Sequence, residues 1–114
     1  MSRVLEAHAD FVRLLLQTPS KTQAVALLDT CTNGQIDALS DIAKNLLHLP
    51  LSPSARIVVS KRRNLLNKLS PSSKLSVHQK ARLIGKHYRL VLEVLKAVKK
   101  PLLQLLKALL KETP

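Results

Sequence analysis

Residues 84–111 read IGKHYRLVLEVLKAVKKPLLQLLKALLK. Within them Ile84, Tyr88, Val91, Leu95, Val98, Leu102, Leu105 and Leu109 recur at spacings of 4, 3, 4, 3, 4, 3 and 4. This alternation keeps one stripe of an α-helix apolar and marks a seam that meets other helices. Leu90, Leu92, Val94, Leu103, Leu106 and Leu110 widen the stripe, and Lys96, Lys99, Lys100, Lys107 and Lys111 line the remainder. The apolar register runs unbroken across Gly85, so a helix opening near Val77 is expected to continue to Lys99. Pro101 falls inside the seam. It has no N–H and its ring crowds the preceding turn, which predicts a kink or a new helix start there.

Upstream of this stretch, helix-start signals recur. Ser20 with Gln23, Thr32 with Gln35, and Ser76 with Gln79 have capping-box spacing. Ser52-Pro53 pairs an N-cap with proline at the first helical position. Ser2 is placed to cap a first helix from Arg3 to Gln17, ended by Thr18-Pro19. The expected apolar faces are Val4, Leu5, Phe11, Val12, Leu14 and Leu15 in the first helix, and Ile36, Leu39, Ile42, Leu46 and Leu47 in the third. The fourth helix, from Ser52 to Leu69, has Ile57, Val58, Leu65, Leu66 and Leu69. The chain has 114 residues, no Trp, one Phe, one Tyr and two Gly. Leu and Ala favour helix, whereas sheets draw on β-branched and aromatic residues and on turn glycines. The reading is an all-α single domain: a compact bundle of five to six helices with a long C-terminal amphipathic helix kinked or broken near Pro101.

Charge divides the chain. The net charge is +12. Residues 1–55 carry four Lys/Arg against five Asp/Glu, and residues 56–114 carry fifteen against Glu93 and Glu112. Residues 1–51 therefore read as a neutral scaffold, 52–87 as basic helices and 88–114 as a Leu/Lys tail. Unpaired like charge costs stability, so such an imbalance points to an anionic partner. The candidate nucleic-acid-binding residues are Arg56, Lys61, Arg62, Arg63, Lys68, Lys74, Lys80, Arg82, Lys86 and Arg89. Arg82, Lys86 and Arg89 are three to four apart and share a helix face. Phe11 and Tyr88 are too few to stack unpaired bases, which favours the backbone of duplex DNA over a single strand.

Three uses compete for the tail seam of Val91, Leu95, Val98, Leu102, Leu105 and Leu109: completing the core, pairing with another chain as a homo-oligomer, or lying on an anionic membrane. No run approaches 18 apolar residues, so no membrane span is expected. Glu6 and Asp10 interrupt any signal-peptide core. Cys31 has no intrachain partner, which suits a reduced intracellular setting.

No catalytic constellation is apparent, and neither an enzyme activity, a cofactor, a metal nor a small-molecule substrate is expected. His8, His48, His78 and His87 lack metal-ligand spacing. Cys31 lies beside an expected helix N-terminus, where a thiol pKa is sometimes lowered, but a small residue in a helix–helix turn is the plainer reading.

One further pattern is an ordered series. It runs Leu27-Leu28, Gln35, Ile42-Ala43-Lys44-Asn45-Leu46-Leu47, Leu51-Ser52, Lys61-Arg62-Arg63, Leu65-Leu66, Leu69 and Ser76, and ends at Lys80-Ala81-Arg82-Leu83-Ile84-Gly85. Over residues 20–86 this resembles small basic helical proteins encoded by Maverick/Polinton-type mobile elements and adintovirus-like DNA viruses. The resemblance implies a viral or transposon context, a location in nucleus or virion, and a structural or genome-packaging role; it supplies no site residues. Such proteins follow the Lys/Arg-Leu stretch with a glycine-rich end, where this chain has Gly85 and a Leu/Lys helix.

Overall fold

The C-terminal seam is folded into the chain's own interior. Val98, Leu102 and Leu106 are 0% exposed, and Val91 and Leu95 are buried with them. The computed structural model describes residues 3–111, without the side chains of Leu47, Leu110 and Lys111. The Ser2 cap and the placements expected for those three side chains therefore lie outside the described residues. All regular structure among the described residues is helical.

The helices are α1 (Arg3–Ala7), α2 (Ala9–Gln17), α3 (Lys21–Asp29), α4 (Asn33–Asn45), α5 (Pro53–Lys61), α6 (Arg63–Leu69), α7 (Val77–Lys86), α8 (Tyr88–Ala97) and α9 (Lys99–Lys111). A 3₁₀ turn, Leu46–His48, follows α4. Local chemistry accounts for four of the starts. Thr32–Gln35 and Ser76–Gln79 form reciprocal capping boxes. Ser52 Oγ accepts from Ala55 N at 3.2 Å, with Pro53 at the first helical position. The Ser20 box is only half made. Ser20 Oγ accepts from Gln23 N, but the Gln23 carbonyl oxygen turns back to accept from Thr18 Oγ1 at 3.0 Å.

Among the described residues there are nine α-helices where five to six are expected, because single residues interrupt three expected helices. His8, Arg62, His87 and Val98 adopt φ between −101° and −121° and ψ between 7° and 33°. This is the sparsely populated bridge region, which turns the chain without a loop. At His8, Arg62 and His87 the backbone N–H is shared between the carbonyls three and four residues back. Size supplies the reason for a break at Val98. Residues 77–111 as one straight helix would span about 52 Å at 1.5 Å per residue. The longest dimension of the molecule is 37 Å. The helix breaks at Val98, three residues before Pro101, and also at His87 rather than continuing across Gly85. Pro101 is the third residue of α9, where its missing N–H would have had no helical acceptor anyway.

α4 is central, packing on α1, α2, α6 and α7, while α8 lies against α3 and α5, and α9 against α1 and α2. One core runs from Leu5 to Leu106, so the three charge zones of the sequence share a single interior. Two patterning expectations change. Val4, Leu14 and Ile57 are exposed, at 38%, 55% and 59%. In a straight helix Val59 and Leu65 would point about 120° apart. The break at Arg62 brings Ala55, Val59, Leu65 and Leu69 all into the core and leaves Ile57 outside. In the last helix Leu106, not Leu105, continues the buried row; Leu105 and Leu109 are half-buried.

Of the three uses for the seam, the structure displays the first. Val91, Leu95, Val98 and Leu102 are covered by the chain's own helices. Among the described residues no helix is long and apolar enough to cross a membrane.

Leu102→Ala is expected to destabilise the protein by about 2–5 kcal/mol, the range for emptying a buried leucine site. A loss under about 0.5 kcal/mol in urea unfolding, the size of a surface change, would mean the seam is not a core element. Gly85→Ala should act in the opposite direction. Gly85 is helical and exposed, and a Cβ there meets nothing within 4 Å. A gain of about 0.5–1 kcal/mol in the same assay is expected.

Candidate anion-binding surface

The ten candidate cations do not all face outward. Lys80 is 6% exposed. Its Nζ donates to Ser40 Oγ at 3.1 Å, and Ser40 Oγ donates in turn to the carbonyl of Leu69. Leu69 is the last residue of α6, so its carbonyl lacks a helical donor. A lysine from α7 and a serine from α4 thus close the C-terminal end of α6, where the helix dipole favours positive charge. Lys80 is a joint between three helices and is removed from the exposed strip. Helical spacing already sets it apart: Lys80 stands two residues from Arg82, about 160° around the helix, and one turn from buried Ile84.

Arg62 is also engaged. Its guanidinium reaches Glu93 at 3.1 Å, linking the α5–α6 break to α8. Its Nε is buried without a hydrogen-bond partner. Arg56, Lys61 and Lys74 are exposed.

The remaining candidates gather around three grooves. Lys68, Arg82 and Lys86 surround one of about 350 Å³, with Gln79 beside them and Leu75 and Leu83 in its floor. Gln79, Arg82, Leu83 and Lys86 stand at i, i+3, i+4 and i+7 of α7, so one helix face supplies four of the six residues. No carboxylate lines this groove. On the other flank of α6, Arg63 and Asn67 face Lys44, with Ser60, Ser70 and Ser72 contributing hydroxyls, around about 240 Å³. Lys44 belongs to the half that reads as a neutral scaffold, and only packing of α4 on α6 places it there.

Arg89 lies apart from these. It lines a groove of about 510 Å³ between the α2–α3 corner and α8, together with Lys21, Lys96 and Lys99. Lys21 Nζ sits 5.8 Å from the centroid of the Tyr88 ring, within cation–π range. The sequence strip is therefore not one surface: Arg82 and Lys86 stay together, Lys80 turns inward and Arg89 faces a different neighbour. Lys21, Lys44, Lys96 and Lys99 are cations of these grooves that the candidate set lacks. Their signal is weak in the sequence, because two sit among neutral residues and two in the leucine-rich tail.

Comparison with known protein families, with curated proteins and with solved structures finds no match to this chain.

Cys31 is a thiol held in its protonated form. Burial, and then the nearby carboxylate of Asp29, push its pKa up from the usual 9.0 to about 11. The thiol donates to the carbonyl of Leu27 at 3.3 Å. The position beside the start of α4 does not activate it. No cluster of His, Cys, Asp and Glu suited to a metal exists among the described residues. His8 packs its ring over Gly34 in the first turn of α4, so closely that a Cβ on Gly34 would stand 2.5 Å from Nε2.

Alkylation of Cys31 at pH 8 is expected to be slower in the folded protein than in urea by about tenfold or more, since only the thiolate reacts. The sign of the linked stability effect follows from the raised pKa. The protonated thiol's contribution is complete below pH 9.0 and is lost as pH rises toward about 11. Equal alkylation rates in the two states would contradict the raised value.

Proposed function

We propose that this protein is a non-enzymatic nucleic-acid-binding protein that grips the sugar–phosphate backbone of duplex DNA with the face formed by α6 and α7. The observation that carries the reading is the groove of Lys68, Arg82 and Lys86, in which three cations from two helices meet with no carboxylate among them. Arg63 and Lys44, with the hydroxyls beside them, add a second cationic groove on the other flank of α6. Phosphate contacts of this kind position a protein on DNA without reading bases. Ser60 and Asn67 suit the neutral hydrogen bonds that accompany them.

Two observations favour duplex over single-stranded nucleic acid. Phe11 and Tyr88 are both half-buried, and the Tyr88 ring already faces Lys21. Stacking platforms need exposed aromatic faces. In the viral or transposon setting that the resemblance implies, weakly sequence-specific backbone binding suits a packaging or virion-associated part.

Fluorescence anisotropy on a duplex at graded salt tests the reading. Three to five phosphate contacts give a slope of log affinity against log salt of about −3 to −4.5. Arg82→Ala with Lys86→Ala should reduce that slope by about 1.8, while Lys80→Met should leave it unchanged because Lys80 is buried. A flat salt response, or no binding at low salt, would sink the proposal.

A further inference from the structure

The groove between the α2–α3 corner and α8 differs in kind from the DNA-facing surface. Its floor is apolar: Leu15, Leu16, Leu92 and Leu95 line it. Its rim is cationic, with Lys21, Arg89, Lys96 and Lys99, all exposed. The one carboxylate in the lining, Glu93, is taken up by Arg62, so its charge is matched before any ligand arrives. The N-terminus of α3 lies at the same rim, through Ser20 and Lys21, and adds the positive end of its dipole. At about 510 Å³ the groove falls in the size range of small-molecule sites.

A bare phosphate would leave half-buried Leu92 and the exposed edges of Leu15, Leu16 and Leu95 uncovered. A neutral apolar molecule would leave four cations without a counter-charge. The geometry points to a binding site for a single-chain anionic amphiphile, an alkyl phosphate or a fatty carboxylate. Its aliphatic chain lies along Leu15, Leu92 and Leu95, and its head group sits among Lys21, Arg89 and Lys96. This assignment goes beyond the DNA-binding proposal and does not depend on it, because the two surfaces share no residue.

The difference in chemistry decides the test. Calorimetric titration of the full-length protein compares monomeric octyl phosphate with inorganic phosphate and with the neutral octyl glucoside. The expected result is one site for octyl phosphate, bound about tenfold or more tightly than either control. Lys21→Glu with Lys96→Glu, both at exposed positions, should weaken it by about tenfold or more. Arg82→Ala with Lys86→Ala should leave it intact while weakening DNA binding, so the two proposals fail separately. Several outcomes would overturn the assignment: inorganic phosphate or octyl glucoside binding as well as octyl phosphate, affinity unchanged in the Lys21/Lys96 variant, or binding to anionic vesicles without binding of the monomeric amphiphile.

Discussion

The fold depends on the burial of one row of side chains, Val98, Leu102 and Leu106, where α9 packs on α1 and α2, continued by Val91, Val94 and Leu95, which gather with Leu39 and Ile42 of α4 and Leu65 and Leu69 of α6. Each such side chain contributes roughly 1.5–3 kcal/mol when fully removed from water. Once this row faces inward, the rest of α8 and α9 has no choice of direction. Lys96, Lys99, Lys100 and Lys107 point to solvent, and Arg89 and Lys96 come to rest against the α2–α3 corner. The cationic groove there is a consequence of core packing.

The second constraint is the mismatch between helix length and molecular size. A bundle no more than 37 Å across cannot hold an unbroken helix from Val77 to Lys111. The chain meets this limit at Val98, which accepts bridge-region dihedrals; His87 and Arg62 do the same in stretches short enough to fit unbroken. At Arg62 the break also reorients the apolar face, so that Ala55 and Val59 enter the same core as Leu65 and Leu69. The guanidinium at that corner then pairs with Glu93. The break therefore joins three outcomes: core registry, the loss of one cation from the exposed strip, and the neutralisation of the acid beside the larger groove.

Much of the fold was legible because its signals are short-range. Thr32–Gln35, Ser76–Gln79 and Ser52-Pro53 set helix starts through hydrogen bonds spanning three residues. The candidate surface was legible only where it obeys helical spacing, as Arg82 and Lys86 do with Gln79 and Leu83. Lys68 enters that groove from another helix, and Lys44 and Lys21 enter theirs from the less charged half. No local pattern announces such meetings. Leu14 and Ile57 show the converse, since apolar residues at helical spacing still ended exposed.

The sequence alone determined that the described chain is helical, where most helices begin, and that positive charge concentrates after Ala55. These follow from backbone capping, residue propensity and arithmetic, all of which act within a few residues or none. Tertiary structure decided where helices break, which apolar residues go inside, and which cations meet. It also decided that Lys80 serves the end of α6 while Arg82, two residues later, faces solvent. The reason is geometric. A side chain's direction depends on which neighbour its helix packs against, and that neighbour is chosen by contacts across the whole chain.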